Sequence, residues 1–384
     1  MTPRRKISLT LNLAPLTPLH VGDGMTYLPD SYVLHDKHLY LFDPAALLGE
    51  MNSTERESFR GADDLEMSSA ERERFADDLK QIFAPLHDCA RRLIESKPAS
   101  GLFTAKIPLT GRAEGLLSSA LHKAERQGAV RLFIRSGGIG NGPYLPGSSL
   151  KGAFRTALAS AFLPRGASPR THEEAMRAAL GVKAGKPESD PLRFLSIGDA
   201  PLPREITVID QAELFQPQRG GGRQRGRVQM VYERTLSLGE FLPCEPKMLN
   251  FSVRITLDTA AAEGPRSFDA EKLIGTLRDF HEKIFFEERE RFFKNAEIDA
   301  IYTYYEKAKE KYREKTVLLR CGRFGHFESK SLEGVRRGVF PQRRSMKEGD
   351  PNEWGRSRTV IRCGKGDGKV LPFGWLTGRA EIET

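Results

Sequence analysis

Residues 130–155 read Val-Arg-Leu-Phe-Ile-Arg-Ser-Gly-Gly-Ile-Gly-Asn-Gly-Pro-Tyr-Leu-Pro-Gly-Ser-Ser-Leu-Lys-Gly-Ala-Phe-Arg, and three signals follow one another in them. Val130–Arg135 is a short strand with Arg131, Phe133 and Arg135 on one face. A glycine run occupies 137–142. Leu150, Phe154, Leu158 and Ala161 then recur at helical spacing, so a helix starts near Ser148. Ser148 or Ser149 is placed to cap it, leaving free N–H groups and the positive dipole end above the turn. Ser148, Lys151 and Arg155 stand at i, i+3 and i+7 on one face, off the apolar stripe. Gly147 and Gly152 allow a ligand backbone to come close. This is the chemistry of a phosphate cradle, although the Gly-Lys-Ser/Thr ending of a P-loop is missing. The plain alternative is a capped helix with solvated cations.

Outward from this stretch, strands and helices alternate. Ile7, Leu9, Leu11 and Leu13 alternate with polar residues, as in a half-buried strand. Ser31–His35 and His38–Phe42 read as a hairpin around Asp36-Lys37. Residues 55–78 carry nine acids against four bases, which predicts a solvated helical insertion unsuited to phosphate. Leu249, Phe251, Val253, Ile255 and Leu257 make the clearest strand. Leu273, Leu277, Phe280 and Ile284 mark a long helix, and Ile298, Ile301, Tyr305 and Tyr312 another. A β-like Thr316–Cys321 and a last strand near Arg379–Glu383 follow. The class is α+β.

Composition bounds the partners. The chain has 384 residues with 60 Lys+Arg against 51 Asp+Glu, a net charge of +9, which favours an anionic partner. No stretch approaches the ~20 apolar residues of a membrane span. No apolar segment follows the basic Arg4-Arg5-Lys6, so no signal peptide is read and a cytoplasmic location is expected. Cys89, Cys244, Cys321 and Cys363 lie far apart without zinc spacing, so neither a metal nor a cofactor is expected.

Two further basic clusters carry nucleic-acid chemistry. Arg219–Arg227 reads RGGGRQRGR, too polar for a core and expected to be a mobile segment presenting Arg219, Arg223, Arg225 and Arg227. Arg336, Arg337, Arg343 and Arg344 form the other, beside the aromatic Gly322-Arg323-Phe324-Gly325-His326-Phe327. Cations interleaved with aromatics suit single strands, and a protein-docking surface is the rival. His20, near Asp23 and Asp30, is a candidate acid or base for RNA cleavage, but no second histidine or carboxylate cluster recurs at informative spacing. Asp199 reads as a turn residue.

Leu16-Thr17-Pro18-Leu19-His20-Val21-Gly22-Asp23-Gly24 resembles the opening of RAMP-superfamily proteins, the ferredoxin-like RNA-binding subunits of CRISPR systems. Tyr144–Arg155 resembles their shared PGSSLKGAxR element, Phe194–Ala200 the element after it, and Pro372-Phe373-Gly374-Trp375 a late glycine-rich turn of one branch. Order and length are similar to the branch that supplies the fifth subunit of the type III-A (Csm) effector complex. That resemblance implies two ferredoxin-like (RRM-like) domains with helical insertions: 1–240, with the acidic insertion near 50–128, and 241–384, with the long helices. It implies a non-catalytic subunit that caps the backbone filament at the 3′ end of the CRISPR guide RNA. The subunit would support maturation of that end, with host nucleases recruited and the filament backbone subunit as neighbour. Gly147, Ser148, Ser149, Lys151 and Arg155 would contact the guide backbone, and His20 would lie near the RNA path. Asp23 and Asp30 occupy a loop comparable to that of RNA-cleaving relatives without matching its motif. The alternatives are an endoribonuclease of the same superfamily, or a protein-interaction scaffold. The RGGGRQRGR run matches no motif of the family.

Overall fold

The computed structural model describes residues 5–63, 75–96, 101–121, 128–136, 142–164, 171–217, 223–263, 266–294, 298–333, 354–355, 357–363 and 369–383. In chain order the elements are β1 (Lys6–Pro15), β2 (Tyr32–His35), β3 (His38–Phe42), α1 (Pro44–Glu50), α2 (Ser53–Asp63), α3 (Phe75–Ser96), β4 (Phe103–Pro108), α4 (Gly111–Leu121), β5 (Val130–Arg131) and β6 (Tyr144–Leu145). Next come α5 (Gly147–Phe162), α6 (His172–Leu180), β7 (Leu195–Ile197), β8 (Ala200–Pro201), β9 (Thr207–Pro217), β10 (Arg223–Thr235), α7 (Leu238–Phe241) and β11 (Phe251–Asp258). The chain closes with α8 (Ala270–Glu288), α9 (Asp299–Tyr312), β12 (Thr316–Arg320), β13 (Arg358–Arg362), β14 (Val370–Pro372) and β15 (Trp375–Glu383).

The strongest sequence pattern builds the main sheet. β11 alternates buried Phe251, Val253, Ile255 and Leu257 with more exposed partners, and β1 buries Leu9, Leu11 and Leu13 beside it. Among the described residues this sheet has the order β12-β15-β1-β11-β7, with every neighbouring pair antiparallel. β15-β1-β11-β7 is the 4-1-3-2 order of a ferredoxin-like βαββαβ unit, with α5 on the β1-to-β7 path, α8 after β11, and β12 added at the edge. α5 packs on α8, and Phe154, Leu158, Leu277 and Phe285 join the strand residues in one core.

The second large sheet, β14-β13-β9-β10-β5, does not repeat that order: it is two hairpins edged by β5, which runs parallel to β10. The expected boundary at 240/241 cuts across both sheets, since β1 pairs with β11 and β15, and β9 pairs with β13. Strand pairing groups residues from both ends of the chain, which periodicity cannot report. The third sheet, β2-β3-β4, starts with the expected hairpin, whose Asp36 and Lys37 both have positive φ (44° and 57°), the pattern of a two-residue type I′ turn. The acidic stretch is helical as expected in α2 and in the described part of α3. The wider 50–128 segment also supplies β4 to that sheet.

One expectation is corrected outright. Arg223, Arg225 and Arg227 lie in β10, where Arg223 pairs with Pro217 and Arg225 with Phe215. A ladder satisfies backbone groups without any side-chain burial, so an Arg/Gly composition does not forbid a strand. Arg219 falls outside the described residues, as do Arg336, Arg337, Arg343 and Arg344.

Candidate functional site

The start of α5 is held by the protein itself. Pro146 is the N-cap and supplies no side-chain hydrogen bond, so neither Ser148 nor Ser149 caps the helix. Asp199 does so from the turn between β7 and β8: its Oδ1 accepts from the Gly147 N–H at 2.8 Å. A Cβ on Gly147 would stand 2.1 Å from the Ile197 carbonyl oxygen, so this glycine serves the approach of the 197–199 backbone and not of a ligand. Gly152 differs, since a Cβ there would meet nothing within 4 Å. The Lys151 Nζ donates to the Leu195 carbonyl at 2.7 Å, and Arg155 pairs with Asp190 at 2.6 Å. The open face of α5 is therefore turned by one residue from the predicted line, to Ser149, Gly152 and Arg155.

That face walls a half-open cavity of about 560 Å³. The loop after β1 closes it with Gly22 and Met25, β5 contributes Arg131, and the end of β12 with its following loop contributes Arg320, Arg323 and Lys330. Five cations and no carboxylate line it. Arg320 and Arg155 have acidic partners, but among the described residues no ion pair holds Arg131, Arg323 or Lys330. The loop is set by Gly322 at φ +83°, where a Cβ would lie 2.7 Å from the His20 carbonyl oxygen. The Arg323 N–H donates to that same oxygen at 2.8 Å. The exposed Arg323 guanidinium lies 5.8 Å from the Tyr232 and Phe324 ring centres. Lys330 donates to Gly322 O at 2.9 Å, and burial, then Arg320, push its pKa below the usual lysine range.

His20 supports this cavity from within. It is 1% exposed, with its ring against Phe133, Tyr232 and Phe324. Its Nδ1 lies 2.6 Å from the Glu233 carbonyl oxygen, so Nδ1 carries the proton of the neutral ring. Burial pushes its pKa down to about 4, against the raising effect of that carbonyl; Arg323 and Arg131 lower it further. Phe324 is half-buried and lies edge-on to Tyr232, so it helps to hold the loop.

Behind the cavity, Arg320 is fully buried and donates to Glu288 at 2.7 Å and to Phe373 O at 3.0 Å. Arg358 joins Glu288 (2.6 Å) to Glu328 (3.1 Å), and Trp375 Nε1 donates to Glu288 Oε2 at 3.0 Å. Gly374, at φ +99°, donates to Pro18 O at 2.7 Å, so the late glycine turn ties the C-terminal strand to the loop that closes the cavity.

A model of the RAMP superfamily matches residues 12–328, which include the loop after β1, α5 and most of the cavity wall. The chain belongs to the RAMP superfamily. Two solved structures share its fold. One is a chain of the cryo-EM structure of a Csm–crRNA–target RNA ternary complex of a type III-A CRISPR-Cas system, at TM-score 0.58 and 15% identity over 97% of this chain and 100% of that one. The other is the crystal structure of Csm5 from T. onnurineus, at TM-score 0.51 and 17% identity over 95% and 99%. No curated protein matches.

In this RAMP-superfamily chain the cavity gathers His20, Ser149, Arg155 and Arg323 from the expected site residues, and Gly152 with them. Gly147 and Lys151 are held from the β7 side of α5, and both they and Ser148 fall outside the lining. Sequence reasoning missed Arg320 at the end of β12 and Lys330 in the segment after it. It placed Arg131 on a strand face without seeing its neighbours. Among the described residues no three His, Cys, Asp or Glu side chains come together to hold a metal ion, and no helix is long and apolar enough to cross a membrane.

Proposed function

We propose that the chain is the guide-RNA-binding, non-catalytic subunit of a type III-A (Csm) effector complex, in the place that Csm5 takes. The observation that carries this reading is the cavity lined by five cations and no carboxylate, assembled from four segments that lie almost wholly within the residues the superfamily model matches. The charge of Arg131, Arg323 and Lys330, which no ion pair holds among the described residues, takes an anion, and a chain of phosphates is the anion that a half-open cleft can track. The resemblance to Csm5 and to a chain of a crRNA-containing complex supports guide RNA as the ligand and the other Csm subunits as neighbours. Capping of the backbone filament at the guide 3′ end, and support of 3′-end maturation by host nucleases, go with the same reading.

His20 is buried and stays neutral far below pH 7, so it acts here as a support for the loop and not as a proton donor. Purification with neighbouring subunits, without nuclease, tests the assignment. Sequencing of the co-purified RNA should return guide RNAs with a shared repeat tag, and Arg323→Glu should deplete them. Background RNA alone would favour the scaffold reading. RNA cleavage by the purified chain with Mg²⁺ or Mn²⁺, lost in Asp23→Ala, would favour the endoribonuclease.

A further inference from the structure

A second cleft, of about 470 Å³ and half-open, lies between the main sheet and α9. One wall is a cross-strand row. Ser252 of β11 and Arg379 of β15 both stand directly opposite Asn12 of β1, so the three side chains share one face. Ser252 Oγ donates to Asn12 Oδ1 at 2.7 Å, which leaves the Asn12 amide with two N–H donors. The other wall is Tyr304, Ala308 and Tyr312, spaced i, i+4 and i+8 along α9. The small Ala308 separates the two rings. Two cations gather at Tyr312, with Lys311 Nζ 5.1 Å and the Arg379 guanidinium 5.9 Å from its centre. The carboxylates at the margin are already engaged, Glu381 by Arg379 at 2.7 Å and Glu245 by the Tyr304 hydroxyl at 3.4 Å.

We propose that this cleft binds an unstacked base of single-stranded RNA, at a site separate from the basic cavity. Rings offer a stacking surface, the amide and hydroxyl row suits a base edge, and Arg379 and Lys311 can meet the adjoining phosphates. A bare phosphate would not need the tyrosine stripe, and an apolar peptide would leave the two Asn12 N–H donors unpaired.

The test is fluorescence anisotropy of the full chain with a labelled single-stranded RNA of about ten nucleotides. Tyr312→Ala should weaken binding about tenfold and leave the salt dependence unchanged, while Tyr312→Phe binds as the parent does. Arg323→Ala, in the basic cavity, should instead lower the salt dependence, so that failure of one site is distinguishable from failure of the other. Parental affinity in a folded Tyr312→Ala chain overturns the proposal. If that variant does not fold, Ser252→Glu at an exposed strand position decides, and unchanged affinity overturns it. Competition by adenosine monophosphate as strong as by the oligonucleotide would overturn RNA as the source of the base. Loss of subunit assembly with RNA affinity intact would assign the cleft to a protein and overturn it equally.

Discussion

The Gly147 N–H donates to Asp199 Oδ1 at 2.8 Å, joining the first turn of α5 to a residue 52 positions later in the chain. The carboxylate occupies the positive end of the helix, where a phosphate was expected, and moves the anion-seeking surface sideways into the cavity. Asp199→Ala should cost about 1 kcal/mol, as loss of a helix cap does. Gly147→Ala should cost more, because its Cβ would overlap the Ile197 carbonyl. Urea unfolding of both variants checks the order.

Arg323 should report phosphate contact more cleanly than Lys151 or Arg155. It is exposed and no ion pair holds it among the described residues, whereas Arg155→Glu would set a carboxylate against Asp190. Arg323→Ala should weaken binding of all single-stranded sequences alike and reduce the salt slope by about 0.7 for one lost phosphate contact. Filter binding across a salt series measures it. An unchanged slope would place the RNA elsewhere.

Acid should destabilise the fold in two stages. Burial lowers the pKa of His20 to about 4 and of His281 to about 3, whereas in the unfolded chain both take up protons from about pH 6.5. Folded pKa values below the unfolded ones mean that the unfolded state gains protons first, so stability falls as pH drops below about 6.5, by roughly 2 kcal/mol per histidine at about pH 5. Glu288 follows. Its burial opposes ionisation, but Arg320 and Arg358 outweigh that and hold its pKa near 2. Its contribution is present above the usual carboxylate range and is lost as pH falls from about 4.5 to about 2. Chemical unfolding at a series of pH values should show both stages. His281→Phe should remove that histidine's share of the first, roughly 2 kcal/mol at about pH 5, and Glu288→Gln should flatten the second while lowering stability at neutral pH.

Phe154 is fully buried in the core shared by α5, α8 and the main sheet. Phe154→Ala should cost about 3–5 kcal/mol, read as a lower denaturant midpoint with an unchanged slope.

The local signals in the sequence were decisive where neighbours within a few residues set the conformation. Alternation fixed β1 and β11, a 3.6-residue period placed α8 and α9, and Asp36-Lys37 marked its turn. The α5 and loop motifs pointed to the RAMP superfamily. Composition misjudged Arg223–Arg227, because pairing with β9 depends on hydrogen bonds that side-chain chemistry does not encode. Only tertiary structure decided that Asp199 caps α5, that Arg131, Arg323 and Lys330 meet at one cavity, and that Asn12 stands between Ser252 and Arg379. Each of these joins residues tens to hundreds of positions apart. Local propensity sets backbone angles over one or two turns, whereas such meetings follow from strand order and register, which the whole core determines.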